Sequence, residues 1–535
     1  MITPYLHDWV FAHAAATPDA PAVASRTARL SYRELADRTR ALAARLLADG
    51  VRPGERVLVS LPNTPAAVVA SLAIQLIGAT PVEVSRELGP EVLGAILGSL
   101  QIRLMFVAAR DVPKWEQILG ARTNGVVWVV RPAAREEAAE GHGTRSLGED
   151  GRVESTGNVA PERPPFELPP PGTVDRSSAA VVLLTSGSTG IPHAVAQTYG
   201  NIDANTRSIV SYLGLTRADR ALLTMPLSYC YGRSVLQTHL FVGGSVYFDD
   251  RFAFPSVVLN AMATEECTGF PGVPLTFELL RRQVDVASLR FPHLRYVTQA
   301  GGPMSPDTIE WVRAAFRPAP LYVMYGQTEA TARLSYLPPE RATDKAGSIG
   351  VAIPGVELRI ADENGVELPP GEVGHLVARG DNVTAGYLDD SEATDEILHD
   401  GWLWTGDLAL RDEDGFFFIR GRIKDILKVG GHRVSPGEIE QVIARHPAVA
   451  EAAVAGLPDD LSGEVPVAFV VLRGEAAASE AELREFCQAQ LPLYAVPVRW
   501  VFVETLGRGA TGKLQRGDLV ARHLDGGGAS GRVRG

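Results

Sequence analysis

The sequence predicts an α/β protein with largely parallel sheets, because strand-like and helical segments alternate along most of its length. A helix is predicted within residues 29–50, where Ser31 and Glu34 have the spacing of a capping box and leucines recur at helical spacing. Residues 56–61 then read as a strand. Residues 66–77 are almost wholly apolar but too short to span a membrane, so we expect them to form a buried helix.

Several later strands are predicted to end in loops rich in glycine or hydroxyl groups. The apolar run 181–184 stops at the sequence TSGSTG, and residues 294–299 run into the paired glycines Gly301 and Gly302. Two glycines directly after a strand indicate that a flat group approaches the backbone closely. Residues 321–325 repeat this arrangement before the sequence GQTE. We therefore expect these loops to carry functional residues.

The C-terminal part of the chain has a different pattern. Beyond residue 370, the glycine-punctuated segments GEVGHLVARGDNVTAGY and GWLWTGDLALRDEDGFFFIRGR predict a β-rich region. A smaller region begins at Ile423, with a helix predicted from Pro436 and a strand at 467–472. Residues 524–535 have no means of burying surface, so we predict that they form a disordered tail.

The composition excludes several classes of protein. The 535 residues are 45% hydrophobic, and the formal net charge of −12 argues against a general binder of nucleic acid or anionic membranes. No apolar run approaches the ~20 residues of a membrane span, and the N-terminus lacks the basic start of a secretory signal. The three cysteines are too widely spaced for a disulfide framework or a zinc site. We therefore expect a soluble, cytoplasmic protein.

Lysine is rare in this chain, which makes its positions informative. Only five of the 51 basic residues are lysines, and three of these lie in the C-terminal region: Lys424, Lys428 and Lys513. Arginine supplies the ordinary surface charge. A lysine in that background indicates a position where a compact, mobile ammonium group is needed.

Residues 185–190, TSGSTG, have the composition of a phosphate-binding loop. Gly187 and Gly190 let the main chain curl so that several N–H groups can point inward at an anion. Four hydroxyl groups can also reach phosphate oxygens, those of Thr185, Ser186, Ser188 and Thr189. The spacing is not that of a Walker loop, because no Lys-Ser or Lys-Thr pair follows the last glycine. Taken alone, the segment reads equally well as an ordinary Ser/Gly turn.

Four further motifs follow this loop in order: YGQTE (325–329), WTGDL (404–408), GRIKD (421–425) and GK (512–513). Together with the loop, they resemble the ordered motifs of the acyl-adenylate-forming superfamily. That superfamily includes acyl- and aryl-CoA ligases, stand-alone adenylation enzymes and luciferases. The resemblance runs from about residue 5 to about residue 523.

The resemblance implies two domains and a tail. Residues 1–421 would form a large domain with parallel-rich sheets flanked by helices, plus a β-rich subdomain. Residues 422–523 would form a small, mobile α+β domain, and residues 524–535 would remain as the tail. The stretch 144–178, which is rich in proline and glycine, would be an irregular surface connection within the large domain.

The resemblance also implies how ATP and Mg²⁺ bind to the large domain. The loop 185–190 would wrap the β- and γ-phosphates, and Thr328 would contact the α-phosphate. Glu329 would hold Mg²⁺, with substrate phosphates as further ligands of the ion. Tyr325 would stack on adenine. The turn Gly301-Gly302 would border both adenine and the acid pocket.

Three more residues are implied at the nucleotide, all of them near or beyond the domain boundary. Asp407 would accept hydrogen bonds from the ribose hydroxyls, and Arg422 would assist there. Lys513 would neutralise charge where the substrate carboxylate meets the α-phosphate.

The remaining implied residues serve the acid and the thiol. In the aromatic segment 226–244, Tyr229 would gate the acid pocket, which four residues would line: Tyr229, Cys230, Arg233 and Met324. Lys424 would be the hinge about which the small domain rotates after the adenylate forms. Lys428, Gly430 and Gly431 would then approach the active site for transfer to a thiol, either of CoA or of a carrier-protein phosphopantetheine.

Three positions depart from the pattern of relatives. His193 stands where relatives carry lysine, and histidine is only partly charged near neutral pH, so help for pyrophosphate would be weaker or pH-dependent. Cys230 stands where activators of amino acids carry aspartate, which argues against an ordinary α-amino acid as substrate. Arg233 is expected either to meet a second polar group of the substrate or to turn outward to Asp249 or Asp250.

The predicted activity is ATP-dependent adenylation of a small carboxylic acid, followed by transfer to a thiol. Glu329, Thr328, His193 and Lys513 are the candidate catalytic residues. An acyl carrier protein is a candidate partner. Two alternatives remain open at this stage: adenylation of another oxyanion such as nitrite, or transfer to an amine. A third is a nucleotide-binding relative without turnover, which the joint presence of the acidic and lysine motifs argues against.

Overall fold

The computed structural model describes residues 5–119, 126–131, 144–154, 175–185, 192–459, 461–474, 476–507 and 516–525. The chain divides into two compact units. The first unit comprises residues 1–358 and 378–403, and the second comprises 359–377 and 404–535. The boundary predicted at residue 421 stays a prediction.

The helices of the first unit begin where the sequence offers caps. The predicted capping box forms at the second helix, because the Glu34 N–H donates to Ser31 Oγ and the Ser31 N–H donates to the Glu34 carboxylate. Six others carry proline in their first turn, where no N–H is needed. The described helices of this unit are α1 (Leu6–Ala16), α2 (Tyr32–Ala48), α3 (Pro65–Leu76), α4 (Pro90–Ser99), α5 (Val112–Leu119), α6 (Tyr199–Leu213), α7 (Cys230–Val242), α8 (Pro255–Thr264), α9 (Pro274–Gln283), α10 (Pro306–Ala315) and α11 (Ser391–Ile397).

Within the described residues, the strands of the first unit build two mostly parallel sheets. The first sheet has the order β17-β16-β15-β14-β13-β11-β12-β1-β2. Its strands are β1 (Pro21–Ala24), β2 (Arg29–Ser31), β11 (Arg220–Leu223), β12 (Ser245–Phe248), β13 (Gly269–Gly272), β14 (Tyr296–Gln299), β15 (Leu321–Tyr325), β16 (Ser335–Leu337) and β17 (Val351–Ala352). Because β14 and β15 are parallel neighbours, the loops that follow them leave the same edge of the sheet.

The second sheet has the order β10-β9-β4-β3-β5-β6-β7-β8. Its strands are β3 (Arg56–Ser60), β4 (Thr80–Glu83), β5 (Leu104–Ala108), β6 (Val126–Arg131), β7 (Thr144–Gly148), β8 (Val153–Glu154), β9 (Ala179–Thr185) and β10 (His193–Thr198). Only the pairs at its two ends are antiparallel. The interior strands are buried on both faces: Val57 and Val59 of β3 join one core cluster, while Leu58 joins another.

One core cluster contains residues from both sheets and from the helices packed between them. Helix α3 is buried along its whole length, which agrees with the absence of charged residues from its sequence. Its one long polar side chain, Gln75, donates to the carbonyl of Ala180 at 2.7 Å. Among the described residues, no helix is long and apolar enough to cross a membrane.

A third sheet corresponds to the predicted β-rich region. It has the order β18-β19-β21-β20, with β22 paired to β21, and its strands are β18 (Val356–Ala361), β19 (Gly374–Gly380), β20 (Leu398–His399), β21 (Trp402–Arg411) and β22 (Phe417–Arg422). The second unit contains a fourth sheet of the order β24-β23-β26-β25, with β27 paired to β26. These strands are β23 (Leu427–Val429), β24 (His432–Val434), β25 (Val449–Asp459), β26 (Gly463–Leu472) and β27 (Arg499–Phe502).

Helices cover the fourth sheet, so the second unit contains an α+β layer structure. The helices described in this unit are α12 (Pro436–Ala444), α13 (Glu480–Gln488) and α14 (Arg516–Val520). Helices α12 and α13 contribute to one core cluster, and Leu519 of α14 joins a second cluster. The predicted fold class is confirmed: parallel-rich sheets flanked by helices, a β-rich subdomain and a small α+β C-terminal domain.

Two expectations about connections need comment. Residues 144–178 were expected to be irregular throughout, and this is wrong for their first part, since β7 lies parallel to β6 and β8 pairs with β7. β8 is the edge strand of the second sheet, and polar residues are common in such strands. Residues 155–174 lie outside the described part of the chain. Of the predicted tail, 524–525 complete a short π-helical turn, and 526–535 lie outside the described residues.

A buried ion pair ties three elements of the first unit together. Arg233 of α7 is 2% exposed; its Nη1 donates to Glu83 Oε1 of β4 at 2.8 Å, and its Nη2 donates to Ser71 Oγ of α3 at 2.7 Å. Burial raises the pKa of the Glu83 carboxyl, and the adjacent Arg233 opposes that rise. The expectation that Arg233 turns outward to Asp249 or Asp250 is wrong, because its guanidinium is buried against Glu83 and Ser71. Asp249 accepts a hydrogen bond from Arg251 Nε at 2.9 Å.

Arg233→Met should lower the free energy of unfolding by about 3–5 kcal/mol at pH 8, because it leaves Glu83 buried without its counter-ion. Loss of Arg233 raises the pKa of Glu83 further, so the folded state holds a proton that the unfolded state releases. Stability therefore falls as the pH rises above the ordinary value of 4.5. Denaturant unfolding should show a smaller loss at pH 5 than at pH 8.

The control is the double variant Arg233→Met/Glu83→Gln, which removes both charges. It should recover part of the stability and lose the extra pH dependence. An equal loss for the single variant at both pH values would contradict this account of the ion pair.

Candidate active site

The predicted phosphate loop joins two paired strands. β9 and β10 are antiparallel, and Thr185 at the end of β9 lies opposite His193 at the start of β10. The loop between them therefore starts and ends at one place in the second sheet. Ser186, Gly187, Ser188, Thr189 and Gly190 lie outside the described residues, so their predicted contacts with phosphate stay predictions.

His193 is held from two sides. Its Nδ1–H donates to Asp390 Oδ2 at 3.2 Å, and its ring stacks on Tyr387 with centroids 4.5 Å apart. Asp390 is itself fixed, because its other oxygen accepts from the Ala393 N–H as the N-cap of α11. The imidazole thus has a defined place immediately after the phosphate loop.

Glu329 lies close to the same histidine through Tyr387. The Tyr387 hydroxyl donates to Glu329 Oε1 at 2.9 Å, and the pKa of Tyr387 is raised by burial and by the carboxylate of Glu329. The Thr384 N–H donates to the main-chain carbonyl of Glu329 at 2.8 Å. In the described part of the chain, Glu329 Oε2 accepts no hydrogen bond, so one carboxylate oxygen is available to a ligand.

Three buried amide side chains clamp the segment that contains Thr328 and Glu329. Each donates to main-chain carbonyls of this segment: Gln197 to Thr328 (3.2 Å) and Thr331 (2.8 Å), Asn205 to Arg333 (3.0 Å), and Asn382 to Ala330 (3.2 Å) and Arg333 (2.9 Å). A buried carbonyl without a partner is costly, so these amides determine the path of the segment.

The turn Gly301-Gly302 meets the predicted gate of the acid pocket. Gly301 has φ +90°, and a Cβ at this position would collide with the hydroxyl of Tyr229. Gln299 Nε2 donates to the carbonyl of Gly302 at 2.7 Å, which holds the turn against the end of β14. The structure therefore brings together two predicted elements that are about 70 residues apart in the sequence.

A small, narrow cavity of about 20 Å³ lies beside α7. One face of α7 lines it together with residues from neighbouring strands and α6, and the lining residues are Ile209, Leu213, Tyr231, Ser234, Val235, Thr238, His239, Pro271, Tyr296, Thr298, Met324 and Arg333. Met324 was predicted to line the acid pocket, and it lines this cavity. Cys230 is buried at the first turn of α7 and is not among the lining residues.

Arg233 faces away from this cavity, which corrects the expectation that it meets the substrate. On a helix, Arg233 lies about 200° around the axis from Tyr231, so the two side chains leave opposite faces. Glu83 already supplies its carboxylate. The argument for a polar substrate that rested on Arg233 therefore loses its basis.

Sequence reasoning missed several residues that build the site: Gln197, Asn205, Arg333, Asn382, Tyr387 and Asp390. Gln197 and Asn205 follow the phosphate loop within a short distance, so polar residues on a segment next to a motif were one available signal. Asn382, Tyr387 and Asp390 come from a segment that the sequence marks only as β-rich. Their role depends on a tertiary contact that has no local signature.

Within the second unit, the structure places Asp407 and Arg422 together. They are opposite one another in β21 and β22, and Arg422 Nε donates to Asp407 Oδ1 at 3.0 Å. Asp407 is buried, and the Arg422 side chain is exposed. This pairing is compatible with both residues contacting the same ligand. Their predicted contacts with ribose stay predictions.

The predicted hinge and thiolation residues lie near one another in the sequence of the second unit. Lys424 and Lys428 are exposed, the latter on β23. Gly430 (φ +55°) and Gly431 (φ +85°) form the two-residue turn between β23 and β24, where both positions require left-handed backbone. Their predicted functions stay predictions.

Lys513 lies outside the described residues. Arg516, three residues further on, is anchored firmly. Its Nη1 donates to Asp425 Oδ2 at 2.7 Å, and its Nη2 donates to Glu440 Oε1 at 2.9 Å. Arg516 is thereby fixed to Asp425, the residue that follows Lys424.

Among the residues that the structure describes, no group of three or more His, Cys, Asp or Glu side chains could hold a metal ion. A protein site for Mg²⁺ differs from such a cluster, because this ion takes one or two carboxylates together with water and substrate phosphates. The single available oxygen of Glu329 fits that donor set.

Comparison with known proteins agrees with this geometry. Residues 10–388 match the family described as AMP-binding enzyme, and residues 438–513 match the AMP-binding enzyme C-terminal domain. The chain is 30% identical over 517 residues to a 2-succinylbenzoate–CoA ligase of Listeria monocytogenes, covering 96% of this chain and 99% of the relative. It is 32% identical over 520 residues to a feruloyl-CoA synthase of Amycolatopsis, covering 97% and 99%.

A solved structure is similar over the same length. The O-succinylbenzoate coenzyme A synthetase of Bacillus subtilis, in complex with ATP and magnesium ion, has a TM-score of 0.80 and 27% identity, covering 96% of this chain and 98% of that one. The nucleotide and metal expected from the sequence are thus confirmed at the level of the family. This chain belongs to the AMP-binding enzyme family and is an adenylate-forming acid–thiol ligase.

Proposed function

We propose that the enzyme adenylates a carboxylic acid with ATP and transfers the acyl group to the thiol of coenzyme A. The observation that best supports the proposed site is the position of Tyr387. Its hydroxyl contacts Glu329, and its ring contacts His193 at the end of the phosphate loop. One side chain thus holds the proposed metal ligand beside the proposed phosphate site.

The first half-reaction must bring two anions together. A carboxylate is a poor electrophile, and attack on the α-phosphate of ATP converts it to an acyl phosphate anhydride with release of pyrophosphate. The loop 185–190 and His193 bind the departing phosphates, Thr328 binds the α-phosphate, and Lys513 neutralises the charge between the two reactants. A magnesium ion held by Glu329 supplies further positive charge at the phosphates.

The second half-reaction transfers the acyl group to sulfur. Lys424 is the hinge about which the small domain turns, so that Lys513 withdraws and the strand carrying Lys428 approaches. The thiolate then attacks the acyl carbon, and AMP leaves. Both relatives compared above are named for ligation to coenzyme A, which supports CoA as the acceptor. A carrier-protein phosphopantetheine offers the same thiol.

The test is a pyrophosphate-release assay on the purified enzyme with ATP, Mg²⁺ and a panel of aliphatic and aryl acids. The assay is repeated without CoA, with a phosphopantetheinylated carrier protein in its place, and with an amine in its place. The product formed in each case identifies the acceptor. We expect release with at least one acid and a thioester when CoA is present. Absence of release with every acid, or turnover unchanged in Glu329→Gln, would contradict the proposal.

Lys513→Ala should slow adenylation far more than thioester formation from preformed acyl-AMP. Its expected cost is about 3–5 kcal/mol of transition-state stabilisation in the first half-reaction, comparable to the loss of an oxyanion donor. The two half-reactions are measured separately, by pyrophosphate exchange and by CoA consumption from synthetic acyl-AMP. Lys428→Ala is the matched control and should show the opposite pattern. Equal losses in both half-reactions for Lys513→Ala would rule out the two-conformation mechanism.

His193→Lys should leave the fold intact and adenylate at least as fast as wild type, because lysine places a fixed positive charge beside the departing pyrophosphate. His193→Ala should adenylate more slowly, because it removes the side chain at this position. The measurement is the rate of adenylation at saturating ATP and a single pH. Equal rates for His193→Ala and wild type would mean that the imidazole acts away from pyrophosphate.

A further inference from the structure

Arg333 is a buried guanidinium that faces the cavity beside α7. The residue is 3% exposed. Its Nε donates to Met324 Sδ at 3.4 Å, its Nη1 donates to the carbonyl of Ala332 at 3.4 Å, and its Cζ lies 4.1 Å from the ring centre of Tyr231. All of these partners are neutral. No carboxylate in the described part of the chain forms an ion pair with Arg333.

Arg233, another deeply buried arginine of this unit, has the counter-ion that Arg333 lacks. Arg233 has nearly the same burial, and Glu83 pairs with it at 2.8 Å. A buried charge without a counter-ion is unfavourable, because neutral dipoles and an aromatic face replace only part of its lost hydration. Arg333 is therefore suited to bind an anion that enters from outside.

The rest of the cavity wall is polar but uncharged. His239 accepts from the Tyr296 hydroxyl at 3.0 Å and donates to the carbonyl of Val235 at 2.8 Å, and burial lowers its pKa, so it stays neutral. The hydroxyls of Tyr231 and Thr298 bond to each other at 2.8 Å. Arg333 is thus the only charged residue among those that line this cavity.

The cavity lies next to the proposed acid pocket. The ring of Tyr231 is 6.3 Å from that of Tyr229, which contacts the Gly301 turn. Met324 directly precedes Tyr325, the first residue of the YGQTE motif. An acid that reaches Thr328 with its reacting carboxylate can therefore extend its other end past Tyr231 toward Arg333.

We propose that the acid activated by this enzyme carries a second carboxylate, and that Arg333 binds that group. The substrate is then a compact dicarboxylic acid, since the cavity is small. This inference rests on the proposed function for the first carboxylate. Its chemistry is the charge-assisted pairing of a guanidinium with a carboxylate, which favours the dicarboxylic acid over an acid with a methyl group at the same end.

The test compares matched acids in the adenylation assay: glutarate with pentanoate, adipate with hexanoate, and terephthalate with 4-methylbenzoate. For the wild-type enzyme, kcat/KM should favour the dicarboxylic acid by at least about tenfold in one or more pairs, mainly through KM. Arg333→Met should abolish that preference, and Arg333→Lys should keep part of it. No preference in any pair, or a preference that survives in Arg333→Met, would overturn the proposal.

Melting temperatures distinguish a ligand-binding arginine from a structural one. Arg333→Met should melt no lower than wild type, because it removes an uncompensated buried charge, whereas the control Arg233→Met should melt well below it. At least one of the three dicarboxylic acids, each tested without ATP, should raise the melting temperature of wild type, and this rise should be absent in Arg333→Met. A fall for Arg333→Met as large as that of the control would make Arg333 structural.

The adenylation assay and the melting-temperature measurement can fail independently, so failure of this inference is distinguishable from failure of the proposed function. If no acid supports pyrophosphate release, the proposed function fails, and the melting-temperature measurement still decides whether Arg333 holds a dicarboxylic acid.

Discussion

The clamp on residues 328–333 is the constraint on which the rest of the site depends. Three buried amides satisfy the carbonyls of this segment, and they come from β10, α6 and the stretch that follows β19. Because a buried carbonyl with too few hydrogen bonds is costly, these amides favour this one path of the segment. That path directs Glu329 toward the end of the phosphate loop and Arg333 toward the cavity beside α7. The proposed metal ligand and the proposed substrate-binding arginine are therefore positioned by the same few hydrogen bonds.

Arg233 and Arg333, two buried arginines of the first unit, differ in how their charge is satisfied. Arg233 joins α7 to α3 and β4 through Glu83 and Ser71, so its charge is satisfied within the protein. Arg333 makes contacts only with neutral groups among the described residues, so its charge is available. Helix α7 separates the two environments, because its opposite faces meet the ion pair and the cavity.

The residues around His193 and Glu329 link parts of the chain that lie far apart in sequence. Tyr387 and Asp390 come from about 195 residues beyond His193, and they position both the imidazole and the carboxylate. These contacts fix the residues beside the predicted phosphate loop without involving the loop itself. They also leave one oxygen of Glu329 for a metal ion, as expected where substrate phosphates supply the other ligands.

The sequence by itself determined the fold class, most of the elements near the motifs and the family, because periodicity, caps and motif order are local features. Through the resemblance it also assigned Gly301, Tyr229 and Met324 to a predicted acid pocket, and the structure places Gly301 against Tyr229. The partner of Arg233, the strands within 144–154 and the roles of Tyr387 and Arg333 were decided only by the tertiary structure. Each depends on which face of a helix meets the core, or on which distant group satisfies a buried charge, and neither property is encoded in neighbouring residues.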